Sequence, residues 1–98
     1  MPPRYSFVNG AKMYRISDAV RSTHSRDGAV VLDIRQGQMF NVNFVGSRIL
    51  ELLKGESSEP EIIDSIIHEF GVTRQSAEND VRKFCGALRK YQLVERAD

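Results

Sequence analysis

The apolar residues of this chain change their spacing once, close to Asn43, and that change fixes what the chain can fold into. Before it they come in short runs bounded by turn residues, as strands require. After it they recur three and four positions apart, as on one side of a helix. The first half therefore reads as strands and the second as helices.

Val20 to Ser25 is a polar strand, and the Asp27-Gly28 that follows is a strong hairpin-turn dipeptide. Ala29 to Ile34 is the next strand, rich in β-branched and aliphatic residues. Arg35-Gln36-Gly37 forms a short loop whose glycine can take a positive φ, and Gln38 to Val42 forms a third strand. The expected unit is a three-stranded antiparallel meander with the most apolar strand in the middle.

Three helices should follow. Asn43 is placed to cap the first, whose apolar side is Ile49, Leu50, Leu52 and Leu53 and which ends at Gly55. Ser58 caps the second, with Pro60 in its first turn and Glu61 at the capping-box position. Ile62, Ile63, Ile66, Ile67 and Phe70 keep the helical period until Gly71. Thr73 caps the third, whose apolar positions are Ala77, Val81, Phe84, Cys85, Leu88 and Tyr91. Leu93 and Val94 are expected to fold back on the core. The isoleucines of the second helix and the leucines of the first are the expected cover for one sheet face. The fold class is α+β, winged helix-turn-helix-like, a three-stranded antiparallel sheet followed by three helices.

A chain of 98 residues fits one domain. Residues 1–13 read as a flexible N-terminal arm and 14–98 as the domain. The formal net charge of +1 argues against a partner chosen by bulk electrostatics. Cys85 is the single cysteine, so no internal disulfide can form and a reducing cytoplasm is the expected location. The first fifteen residues lack the apolar core of a signal peptide, and no run approaches the ~20 residues of a membrane span.

Function is most legible at a sheet edge. The first strand is guarded by Arg21, His24 and Arg26, as natural edges usually are. From Gln36 to Ser47 there is neither charge nor proline. Alternation puts Phe40 and Val42 on one face and Met39 and Asn41 on the other. Such an edge is either covered, by the third helix or a second copy of the chain, or it accepts an extended peptide as an added strand. About four or five backbone bonds at ~1 kcal/mol each and two apolar anchors at ~1.5–3 kcal/mol each oppose an ordering cost of ~1–2 kcal/mol for each of about six residues. The surplus is small, so selectivity must come from the anchors.

The run Gly28-Ala29-Val30-Val31-Leu32-Asp33-Ile34, with Phe40, Val42-Asn43, Gly46, Ile49, Leu53 and Gly55, resembles the PqqD family. Phe70-Gly71-Val72, Asp80-Val81, Phe84, Leu88 and Leu93-Val94 continue the resemblance, which runs from about Ile16 to Val94. That family comprises the pyrroloquinoline quinone synthesis protein D and related precursor-peptide recognition elements. The resemblance implies a non-catalytic winged-helix domain that binds a precursor's leader peptide along its third strand, in a groove shared with its third helix. It would present the leader to a maturation enzyme: a radical SAM protein, a leader peptidase or a cyclase. Carried over, the strand residues are Gln38, Met39, Phe40, Asn41 and Val42, and the helix residues Val81, Phe84, Cys85 and Leu88. Val42 stands where the family often has leucine, Leu50 where it often has tryptophan, and Gln92 where glycine usually precedes the final apolar pair. The proline-containing loop of the quinone pathway is also missing between the second and third strands, which favours another peptide pathway.

Other chemistry finds little support. His24, His68 and Cys85 are the only soft metal ligands and no two lie at ligand spacing. Cys85 sits in an apolar stripe, where a free cysteine is usually a small core hydrophobe. No carboxylate pairing suggests acid–base work and no glycine-rich phosphate loop is present, so neither catalysis, metal nor cofactor is expected. The rival function is DNA binding by a winged-helix regulator. Arg74, Arg82, Lys83, Arg89 and Lys90 lie on the third helix, but Glu78 and Asp80 make its N-terminal half mixed in sign. The basic residues read better as a solvated face.

Overall fold

A computed structural model describes residues 14–96 of the chain. The arm expected over residues 1–13 lies outside the described residues. The order is β1 (Tyr14–Ile16), β2 (Val20–Ser25), β3 (Gly28–Asp33), β4 (Gln38–Asn43), α1 (Phe44–Lys54), α2 (Glu59–Phe70), α3 (Arg74–Lys90) and β5 (Val94–Arg96). The expected three-stranded sheet has the order β2-β3-β4, antiparallel throughout.

The helix boundaries follow local chemistry. Asn43 accepts the Gly46 N–H at 2.8 Å through its side chain, and Thr73 accepts that of Ser76 at 3.1 Å. Ser58 and Glu61 form the full capping box. The Glu61 carboxylate, holding the Ser58 backbone N–H and side chain, is kept below the usual carboxylate range.

Three sequence expectations change. The β2–β3 turn is Arg26-Asp27, and Gly28 already belongs to β3 opposite Asn43. A Cβ on Gly28 would lie 2.0 Å from the Val42 carbonyl oxygen, so the close approach of β4 requires glycine there. The sheet is covered chiefly by α1, whereas α2 packs on α3 and α1, one layer further from the strands. The two ends of the described chain also meet: β1 and β5 form a separate antiparallel pair, which sequence reading missed. Its hydrogen-bonded neighbour is the Ser17 N–H, which donates to the Leu93 carbonyl at 2.9 Å.

Val20 and Val31 from the sheet, Ile49, Leu50 and Leu53 from α1, and Ile62, Ile63 and Ile66 from α2 fill the core. Ala77, Val81, Cys85 and Leu88 from α3 join them, with Leu93 and Val94 folded back as expected. Each fully buried aliphatic side chain contributes about 1.5–3 kcal/mol. Two polar groups lie beneath the sheet. Asp33 is 0% exposed, and its carboxylate accepts the Arg35 N–H at 3.0 Å and the Gln36 side-chain amide at 2.8 Å. Burial pushes its pKa up, but the backbone N–H groups of Arg35 and Gln36 and the Arg35 charge prevail and hold it below the ordinary value. His24 Nδ1 lies 2.7 Å from Ser47 Oγ, which ties β2 to α1.

Candidate functional site

Hydrogen-bond parity decides what the edge of β4 offers. The Ile34 N–H donates to the Ala19 carbonyl at 3.0 Å, continuing the β2–β3 ladder by one step. Bonding alternates along an antiparallel ladder, so Gly28, Val30 and Leu32 bond toward β2, while Ala29, Val31 and Asp33 bond toward β4. Their partners in β4 are Val42, Phe40 and Gln38. The N–H and C=O groups of Met39 and Asn41 consequently point away from the sheet. Among the described residues no strand pairs with that side.

Beside this edge runs a trough between β4 and α3. Its apolar part is a cavity of about 260 Å³, lined by Phe40, Val42, Phe84, Leu88, Tyr91 and Leu93 among others. The Phe40 and Tyr91 rings, 4.9 Å apart between centroids, bridge strand to helix there. The other part is a cavity of about 340 Å³ that shares Asn43, Phe84 and Ala87 with the first and runs on past Gly46, Asp80 and Lys83. Gly46 makes this geometry possible. A Cβ there would fall 2.7 Å from Val42 Cγ1 and 2.9 Å from Phe84 Cε1, pushing α1 off the wall of the trough.

The sequence-predicted residues divide into three groups. Phe40, Asn41, Val42, Phe84 and Leu88 line the apolar cavity. Met39, 68% exposed, and Gln38 sit on the strand with side chains clear of it. Val81 and Cys85 lie in the core, behind the trough wall. The Cys85 thiol is pushed up to about 11, by burial first and then by the charge of Glu59. Tyr91, Ala87 and Asn43 also line the trough, although the sequence reading does not place them in the site. Their signal was present: Phe84, Ala87, Leu88 and Tyr91 follow the i, i+3, i+4, i+7 spacing of one helix face.

Two of the five basic residues of α3 are taken up by α2. Arg74 pairs with Asp64 at 2.9 Å and Arg82 with Glu59 at 3.7 Å, both carboxylates of α2. This supports the solvated-face reading over DNA recognition.

Residues 28–94 match the family of coenzyme PQQ synthesis protein D (PqqD). The chain belongs to the PqqD family. Two solved structures share the PqqD-like fold. TbiB1, solved in complex with the TbiA(beta) leader peptide, is 42% identical, with a TM-score of 0.78 over 86% of this chain and 99% of that one. A lasso peptide synthetase B1 complexed with the leader peptide is 22% identical, with a TM-score of 0.75 over 84% of this chain and 96% of its own, and speaks to the fold alone. No curated protein matches the chain. Within the described residues no helix is long and apolar enough to cross a membrane.

Proposed function

We propose that this PqqD-family chain binds the leader of a ribosomally synthesised precursor peptide as an added strand along β4 and presents it to a maturation enzyme. The observation that carries the reading is the pairing of an open edge, Met39 and Asn41, with an apolar trough immediately beside it. The backbone of Gln38 to Val42 would set the register of the peptide. Phe40, Val42, Phe84 and Leu88 would receive its anchors, and Val81 and Cys85 would support Phe84 and Leu88 from behind. The leader complex of TbiB1, at 42% identity, supports the same ligand class here.

The role is recognition, not catalysis. A thiol as deeply buried as that of Cys85, un-ionised at neutral pH, is no nucleophile. The partner enzyme would be a radical SAM protein, a leader peptidase or a cyclase, with tethering raising the local concentration of substrate. The cytoplasm, where a ribosomal product first becomes available, is the proposed location.

Proline substitution tests the reading, with labelled TbiA(beta) leader as probe and helix content followed by circular dichroism. Met39→Pro and Asn41→Pro remove an outward N–H without touching a β3–β4 ladder bond, so both should abolish binding and leave the helices intact. Undiminished binding by both variants would contradict strand addition. A second copy of the chain pairing along this edge would compete with the peptide, and sedimentation across a concentration series separates that outcome.

A further inference from the structure

The two halves of the trough differ in chemistry, and this difference sets what the bound peptide must look like. From Tyr91 back to Phe84 the α3 wall is apolar; from Phe84 back to Asp80 it carries Lys83 and Asp80, whose side chains have no hydrogen-bond or ion-pair partner among the described residues. They stand three residues apart on the helix, hence on one face, yet no bridge closes between them. The ends of the trough are ordered by the strand. Its apolar part lies against Phe40 to Asn43 and its polar part against Asn43 to Gly46, so α3 runs along it antiparallel to β4.

A peptide side chain reaching the polar part meets both charges. A carboxylate there sets repulsion from Asp80 against attraction to Lys83, and a cation the reverse, so neither sign of charge gains much. A side chain with both a donor and an acceptor meets neither penalty: its oxygen takes a hydrogen from Lys83, and its N–H or O–H donates to Asp80. Side-chain amides have that form. The spacing follows from helix and strand dimensions. Ala87, which lines both parts, and Lys83 stand one turn apart on one face of α3, about 6 Å of helix rise, which an extended peptide spans in about two residues at ~3.3 Å each. Two residues also return the side chain to the same face of the strand.

We propose that the polar end of the trough is a specificity socket, in which Lys83 and Asp80 select a neutral hydrogen-bonding side chain, Asn or Gln, two residues along from the apolar anchor. This rests on the leader-binding reading above and deepens it. The anchor provides affinity, and the socket provides discrimination against charged residues of either sign.

The test uses the full chain and a set of fluorescein-labelled extended peptides with one fixed Leu anchor. Gln, Ala, Asp or Lys is placed two residues to either side of it, and binding is read by anisotropy. The wild-type protein should prefer Gln over Asp and over Lys by about two- to fivefold, the scale of exposed charge pairs, on one side of the anchor only. Asp80→Asn should lift the penalty on Asp, and Lys83→Gln the penalty on Lys, each leaving the other in place. Both sites are exposed, so folding should survive, and a thermal melt checks it. Peptides that bind through Leu, with binding lost in Phe84→Ala, but show no ranking or the same ranking in all three proteins would overturn the socket and leave leader binding standing. Binding of no peptide at all would overturn both.

Discussion

The Arg35 guanidinium donates to the backbone carbonyl of Gln92 at 2.9 Å, joining the β3–β4 loop to the turn that ends α3. The neighbouring Phe40–Tyr91 ring contact joins the two walls of the apolar part of the trough. The same guanidinium lies 3.5 Å from the buried Asp33 carboxylate. Arg35 is half-exposed, and its removal should cost no more than about 1 kcal/mol of global stability. Arg35→Ala should instead speed amide exchange across the Ile34–Gly37 loop and at Gln92, measured by hydrogen exchange, with a thermal midpoint close to wild type.

Gln92 itself has a φ of +59°, a left-handed conformation that disfavours any residue with a Cβ. Glycine, which the resemblance to the family implies at this position, adopts such a φ without steric cost. Gln92→Gly keeps the carbonyl that Arg35 uses and removes the steric conflict, so it should stabilise the fold by about 1 kcal/mol, partly offset by the freer unfolded chain. A rise in the urea midpoint at unchanged slope is the expected reading.

Asp33 predicts an acid sensitivity. Its folded pKa lies below the ordinary value of 3.8, so its ionised form stabilises the fold above that value. The contribution fades as pH drops through 3.8 toward the depressed folded pKa. Glu61 acts in the same direction, so the informative quantity is a difference. Urea midpoints of wild type and Asp33→Asn, compared between neutral pH and pH below 3.8, should converge on acidification. A constant gap across that range would contradict the assignment.

The Cys85 thiol, 2% exposed and with its pKa near 11, should react with a disulfide reagent such as DTNB only as fast as the chain opens. Slow labelling of the native protein and immediate stoichiometric labelling in denaturant is the expected pair of results.

Much of this fold was legible because the deciding chemistry is local. Asn43, Ser58 and Thr73 cap their helices through a bond to a residue three positions on, and spacing of that kind is visible in sequence. The bare stretch of β4 was legible for the same reason, since missing charge and proline need no partner to be seen. The β1–β5 pair was not. Three residues near one end meet three near the other, and neither segment has a pattern long enough to mark it. On α3 spacing by three and four gives one apolar stripe, yet the helix carries two that meet at Leu88. Ala77, Val81, Cys85 and Leu88 face the core, while Phe84, Ala87, Leu88 and Tyr91 face the trough. Period alone cannot say that a helix is wedged between two neighbours, so it puts Val81 and Cys85 in one stripe with Phe84 and Leu88, and the resemblance carries all four into the site.

Amide exchange at Met39 and Asn41, residue by residue, is the most direct probe of β4 as a docking strand. In the free protein both amides should exchange rapidly while Phe40 and Val42 are protected by β3, and saturation with a bound leader peptide should slow Met39 and Asn41 by orders of magnitude. Protection of Met39 and Asn41 already in the free monomer, or rapid exchange that persists in the complex, would contradict the account.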